Sequence, residues 1–450
     1  MLSHTLLMMA LPLQAVAERP TSVGSVDSST RDLRCHWESA GDASLCDEII
    51  AGVEEAWSIQ VDELGWPAPL PDDDGLLDVY VSSDAGGFAY TQGTESAVDP
   101  EDGTTGTSAF IVFDPSFETT ISWTMLHEFN HVLQFGIDPS ERSAVAWEGV
   151  ATAMEWFSDR SLVAQDVYIS DFQADPWLGL VGNGYGFGVD SLYEYGSALW
   201  VFHLDHHSGD GKGSAALDLW LDNAQAGWDN EPDFIDALGT VYGSDWDSAW
   251  LDFIVSRIAV GTADAPEWAK WWKEAEFGIH IEDSISASEL PTSVTPANMP
   301  LQTGAVYAEL TGLELGQRIR IHADGDPSVD WAVFDFQNGR GEWNTGGTLE
   351  VEAQGSSLIF GAVNLGASGF DPDDIIEGSS VSIEVRVLDT ADDLEDDEKG
   401  GGCATAPAST WDTADDLEDD EKGGGCATAP ASNMKLWLSV LAILGWRRRQ

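Results

Sequence analysis

Two histidines four residues apart on a helix project from one face, and this chain carries such a pair, His127 and His131. They stand in the string HEFNH (127–131), inside MLHEFNHVLQFG (125–136). Both imidazoles can then reach a single metal ion. The string fits H-E-x-x-H, in which Glu128, at the edge of that face, takes a proton from a zinc-activated water. Catalytic zinc keeps three protein ligands and leaves a position for water, so a carboxylate from a second helix is the natural third donor. Glu148, in WEGVATAME (147–155), follows His131 by 17 residues, room for a helix end, a turn and the start of a second helix. Gly149 beside it lets two helices approach closely. Glu155, two turns further along the same face, is the rival ligand, and reads better as a carboxylate behind the ligands or in solvent. Glu141 comes soon after the Gly136–Pro139 break and reads as loop.

The elements that must position these side chains are legible on either side. Asp114 can cap the metal helix, with Pro115 at the first helical position and Gly136 as a left-handed stop. Ile121, Met125, Leu126, Phe129, Val132 and Leu133 supply its apolar stripe. Before it, residues 76–81 and 109–113 read as strands, and residues 45–64 as a helix carrying Ile49, Ile50, Val53, Trp57, Val61 and Leu64 at helical spacing. From 145 to about 275 the period is helical, with Ser244 capping one helix. After Pro291 the period changes to two. Residues 318–322, 331–336, 358–360 and 381–387 are short strands separated by Gly, Asp and Asn turns, a β-sandwich pattern. The fold class expected is α+β: helices around a mixed sheet, then an all-β sandwich, then a disordered acidic tail.

HEFNH followed by WEGVA resembles the gluzincins, the zincin branch in which a glutamate completes H-E-x-x-H. The E-G-x-A context is similar to that of aminopeptidase N, where the glutamate before the glycine binds zinc. TMLHEFNHVLQF with AWEGVATAMEWF resembles, more closely still, a family of secreted metalloproteases of myxobacteria. That likeness covers residues 75–390, although its specific motifs occupy only about 35 positions. It implies a zincin-like catalytic domain whose sheet edge pairs with an extended polypeptide substrate, Zn2+ on His127, His131 and Glu148, and Glu128 as general base. In aminopeptidase-N-like enzymes a Y-E-x-G segment opens a helix whose tyrosine hydroxyl stabilises the tetrahedral intermediate. YEYG (193–196) puts Tyr193 in that role, with Tyr195 as fallback. The G-x-M-E-N stretch that grips a free amino terminus is absent, which argues for cutting within chains. His203, His206 and His207 close a helix over 197–207, where they meet its dipole and exposed carbonyls.

A length of 450 residues allows two or three domains, and 43% hydrophobic residues with 20 tryptophans exclude a wholly disordered chain. The net charge of −60 rules against a nucleic-acid partner, since phosphate binding needs clustered Lys and Arg. Acidic surfaces stay soluble in high salt, which suits a saline habitat. The loops Asp72-Asp73-Asp74 and Asp371-Pro372-Asp373-Asp374 offer oxygen ligands for Ca2+, a solvated charge run being the alternative. Residues 1–17 read as an export signal, with an apolar core over 6–13 and a small-x-small site at Ala15-Val16-Ala17. Cys35 and Cys46 would pair in an oxidising compartment. The sequence leaves open whether residues 18–70 form an inhibitory pro-segment.

The tail holds a perfect duplication. Residues 389–409 and 412–432 are both DTADDLEDDEKGGGCATAPAS, a composition that cannot form a core. Residues 434–446 are apolar but shorter than the ~20 residues a stable span needs, and Arg447-Arg448-Arg449 follow. Gly-Cys, a short apolar segment and an arginine cluster together resemble the MYXO-CTERM sorting signal. That resemblance implies processing near Cys426 by envelope sorting machinery, with Cys403 its duplicate, and a cell-surface or extracellular location. The expected organisation is thus a signal peptide (1–17), a zincin-like domain (18–285), a β-sandwich (286–388), a linker (389–433) and a sorting segment (434–450).

Overall fold

A computed structural model describes residues 18–98, 105–141, 143–160, 167–180, 192–223, 234–242, 246–366 and 378–388. The leader, Ser244, the 371–374 loop and the tail with Cys403 and Cys426 lie outside the described residues.

Alternation in the strand Thr105–Phe113 explains how the first sheet is covered. Ala109, Ile111 and Phe113 enter the main core, while Phe110 and Val112 turn to the other face and meet Tyr80. The sheet comprises β1 (Gly24–Asp27), β2 (Leu33–Trp37), β3 (Leu77–Val81), β4 (Ala89–Val98) and β5 (Thr105–Phe113), in the order β1-β2-β3-β5-β4. The three central strands are parallel, and β1 and β4 run antiparallel at the two edges. On the far face His36 stacks on Tyr80 and bonds Asp78 at 2.9 Å, with Arg19 over the Phe110 ring. Two of the three acids of the 72–74 turn are taken up by arginines, Asp72 by Arg19 and Asp74 by Arg34.

Helix α1 (Leu45–Trp57) lies behind α2 (Ile121–Ile137), and both cover the core face of the sheet. The expected helix over 45–64 is regular only to Trp57. Residues Ser58–Glu63 then form a π-helical turn that ends before Gly65, whose φ is +84°. That turn brings Gln60 inward, where its Nε2 donates to Leu126 O at 2.8 Å and its Oε1 accepts from Asn130 Nδ2 at 3.1 Å. Residues 24–63 therefore supply two strands and the helix backing α2, and Cys35 and Cys46 are joined by a buried disulfide between β2 and α1.

Two details of the helix that carries His127 and His131 depart from expectation. Asp114 does cap, accepting from Ser116 N at 2.8 Å, but what it caps is a 3-10 stretch, Pro115–Thr120, and α2 begins at Ile121. Gly136 does not stop the helix, which runs on to Ile137. The glycine the packing requires is Gly106 of β5, where a Cβ would come within 2.2 Å of the Gly136 carbonyl oxygen, so strand and helix touch there. Met125, Phe129, Val132 and Leu133 are buried, worth about 1.5–3 kcal/mol each for the larger side chains.

The helical layer continues with α3 (Ala144–Ser158), α4 (Val167–Ala174), α5 (Tyr193–Gly196), α6 (Ala198–Ser208), α7 (Ser214–Asn223), α8 (Phe234–Tyr242) and α9 (Trp246–Ser256). Among the described residues no helix is long and apolar enough to cross a membrane. Two further sheets follow, giving an α+β fold. One has the order β11 (Arg340–Asn344), β10 (Trp331–Gln337), β13 (Ser357–Asn364), β8 (Ala305–Thr311), β6 (Asp283–Ser286). The other has the order β12 (Thr348–Glu352), β9 (Arg318–Gly325), β14 (Val381–Val387), β7 (Thr292–Val294). Val306, Val333 and Phe360 of the first meet Ile319, Ile321 and Ile383 of the second in a shared core. The opposite face of the first sheet joins the helical core through Tyr307, Phe334 and Val363, and Tyr307 Oη donates to Ile254 O at 3.0 Å.

One buried carboxyl in this sandwich makes stability depend on pH. Burial, then the charge of Glu342, push Asp335 up to about 7, while Gln337 Nε2 donates to it at 2.9 Å. A raised folded value means the folded state holds the proton more tightly than the unfolded chain. The contribution is therefore whole below pH 4 and lost as pH rises through 7. Asp335→Asn should gain on the wild type across that window, by up to about 4 kcal/mol at its upper end. Urea midpoints at pH 4.5 and 8 measure it. An unchanged difference between the two proteins at both pH values would refute the assignment.

Candidate metal centre

Helix α2 presents His127 and His131 toward α3, which presents Glu148 and Glu155. His131 Nε2 lies 3.0 Å from His127 Nε2, and Glu148 Oε2 lies 3.2 Å from His127 Nε2 and 3.4 Å from His131 Nε2. Among the described residues these three form a group able to hold a metal ion. The histidine side chains are about nine-tenths buried, whereas Glu148 is 26% exposed, so the group opens on the Glu148 side.

The other ring nitrogens decide which lone pairs face inward. His131 Nδ1 lies 2.6 Å from Gln134 Oε1, and the Gln134 amide is oriented by Nε2 donating to Trp147 O at 3.2 Å. Oε1 is thus an acceptor, and His131 carries its hydrogen on Nδ1. His127 Nδ1 lies 2.6 Å from Glu155 Oε1, which fixes that ring in the same way. In neutral histidines both Nε2 lone pairs then point at the Glu148 oxygen. Three acceptors at 3.0–3.4 Å repel unless a proton or a cation sits among them. The electrostatics agree. Burial opposes a charged His127, yet Glu148 and Glu155 hold its proton well above the ordinary imidazole range. Burial likewise opposes an ionised Glu148, and His131 and His127 outweigh it and pull the carboxyl down. The donor set of two imidazoles and one carboxylate, each imidazole backed by an acceptor, fits zinc.

Close approach by glycine holds the second helix in place. A Cβ on Gly149 would meet Ser197 Oγ at 2.1 Å, so α3 packs against the start of α6 at this point. A Cβ on Gly196 would meet the Tyr168 carbonyl at 2.1 Å, which presses α5 onto α4. These contacts set the rotation of the YEYG turn. Tyr195 stacks on His127, with ring centroids 5.8 Å apart and planes 23° apart, and Tyr168 lies 5.4 Å beyond it. The charge of Glu148, then burial, keep the Tyr195 hydroxyl protonated well above its usual range. Tyr193 points elsewhere: it is fully buried against Phe172, and its hydroxyl donates to Gly179 O at 2.6 Å. It is a core tyrosine with a satisfied hydroxyl.

Sequence reasoning missed three residues at this centre. Thr91 on β4 places Oγ1 2.7 Å from Glu128 Oε2 and 2.9 Å from Glu128 O. Gln134 could have been found as the residue one turn after His131, while Gln60 and Thr91 carry no local signal. Glu141 sits in a loop as read, but it is buried and organises its surroundings. Its carboxylate accepts from Ser143 N at 2.6 Å and Phe234 N at 2.9 Å. Among the three helical histidines, His203 is fully buried beside Phe253 and Trp268, and burial holds it neutral. His206 and His207 lie in the last turn of α6, but burial, then His206, lower His207 to about 4 and leave it neutral, so the dipole argument applies only to His206.

No family model matches this chain, and no curated protein matches it. Among solved structures it is similar to PliG of Aeromonas hydrophila, a periplasmic lysozyme inhibitor of g-type lysozyme. The identity is 12% and the TM-score 0.19, over 24% of this chain and 100% of that one. It is also similar to BtGH115A, a family GH115 4-O-methyl-alpha-glucuronidase, at 8% identity and a TM-score of 0.14, over 62% of this chain and 46% of that one. Likeness at these TM-scores carries no argument about fold or function.

Proposed function

We propose that this chain is an exported zinc-dependent endopeptidase with a zincin-like catalytic domain. The observation that carries the reading is the convergence of His127 Nε2, His131 Nε2 and Glu148 Oε2 beside a carboxylate, Glu128, that takes no part in the group. Zinc held there would supply Lewis acidity, making water a nucleophile near neutral pH and polarising a carbonyl. The chain's own residues account for the rest. Glu128 accepts the proton of the attacking water and later delivers it to the leaving nitrogen. Tyr195, protonated and stacked on His127, donates to the oxygen on which charge develops. Glu155 and Gln134 keep both histidines in the ligating tautomer. Strand β4 is the edge of its sheet beside Glu128, and a free edge pairs with an extended main chain whatever its sequence.

The Cys35–Cys46 disulfide supports an oxidising compartment and so the export reading. We assign the duplicated tail and its Cys426 to surface sorting on their resemblance alone. Purified protein should hydrolyse casein or gelatin, lose that activity on complete metal removal and regain it with one equivalent of zinc. Hydrolysis that survives complete removal of metal would overturn the proposal.

A further inference from the structure

Glu128 is held from a direction the metal group does not explain. Thr91 lies 37 residues earlier in sequence, on β4, and pairs across the sheet with Ile111, whose side chain faces the core beneath α2. Tyr90 before it faces the opposite side, so strand alternation alone aims Thr91 at the helix. Its single hydroxyl proton has two acceptors in reach, Glu128 Oε2 at 2.7 Å and Glu128 O at 2.9 Å. The carbonyl already belongs to the hydrogen-bond ladder of α2, whereas the carboxylate is the shorter contact and the stronger, charged acceptor. A long flexible Glu side chain otherwise has several rotamers, and a general base works only within hydrogen-bond reach of the proton it takes. A β-bulge between Gly93 and Ser96 follows directly and turns the edge strand at this point.

We propose that Thr91 is a positioning residue: its hydroxyl fixes the Glu128 carboxylate at the angle required for proton transfer. Through this bond the base is anchored to the strand along which a substrate main chain would lie. Docking on β4 and alignment of the base are then one mechanical unit. The inference rests on the peptidase reading above.

Four variants test it: Thr91→Val, Thr91→Ser, Glu128→Gln and the Thr91→Val/Glu128→Gln double. Valine keeps the shape and suits a strand, so folding is preserved. Thr91→Val should lower kcat about 10- to 100-fold with KM within about threefold, and Thr91→Ser should restore kcat to within about threefold of wild type. In the double variant the threonine change should add nothing to the loss caused by Glu128→Gln. Zinc content should match wild type in both Thr91 variants, and the melting temperature should fall by only a few degrees in Thr91→Val, the cost of one lost hydrogen bond. In metal-free protein, the infrared carboxylate band that disappears in Glu128→Gln should shift in Thr91→Val and stay put in Thr91→Ser.

A Thr91→Val enzyme with unchanged kcat, while Glu128→Gln is inactive, overturns the positioning role alone. An unmoved carboxylate band, or zinc loss in Thr91→Val, does the same and leaves a plain strand–helix clamp. A wild type that cleaves no peptide, or a Glu128→Gln variant as active as wild type, overturns the peptidase reading and this role together.

Discussion

Glu128→Gln should retain zinc and the fold yet lose about 100- to 10,000-fold in peptide hydrolysis, the usual cost of removing a general base. The amide keeps the size of the side chain and still accepts the Thr91 hydrogen bond, so packing between β4 and α2 is preserved. What it cannot do is bind the proton of the attacking water. The three proposed ligands are unchanged, because Glu128 is not a member of the His127–His131–Glu148 group. Loss of metal in this variant would mean that Glu128 is itself a ligand. Activity within about threefold of wild type would mean that proton transfer lies elsewhere.

The second large effect separates the two glutamates of α3. Glu148→Gln or Glu148→Ala removes one of three converging donors and should lower zinc occupancy severely at micromolar metal. Glu155→Gln leaves all three donors but weakens the bond that orients His127, and should cost about 10- to 100-fold in affinity. Competition against a chelating dye ranks them. Should the Glu155 variant lose zinc while the Glu148 variant keeps it, the ligand assignment is reversed. Thermal scans with and without zinc provide a second readout, since a ligand that binds only the folded state raises its melting temperature.

The centre was legible where its information is local. His127, Glu128 and His131 are fixed by helical spacing, and Glu148 and Glu155 share a face for the same reason. Glu155 behaves as read, standing behind His127 at 2.6 Å. The choice between Tyr193 and Tyr195 was not local. Residues two apart on a helix point to nearly opposite sides, and only the pressure of Gly196 on α4 and Gly149 on Ser197 sets the rotation. Strand β4, AYTQGTESAV, lacks apolar alternation because it is a bulged edge strand. Without that strand Thr91 could not be found. Gln60 was hidden by a π-helical turn, which breaks the 3.6 period that placed the rest of its helix. The sandwich strands at 318–322, 331–336, 358–360 and 381–387 all formed, since a two-residue period on a buried face is a strong local signal. Its more polar strands β6, β7, β11 and β12 were not visible, and neither was β8, which is buried on both faces and so lacks the alternation.

The most direct test of the account is anomalous diffraction at the zinc absorption edge from crystals of the purified protein. A single peak should lie at about 2.0–2.2 Å from His127 Nε2, His131 Nε2 and a Glu148 oxygen, with Glu128 beside it and outside ligand distance. Absence of a peak in zinc-supplied crystals, or a peak held by Glu155 and not Glu148, would contradict it.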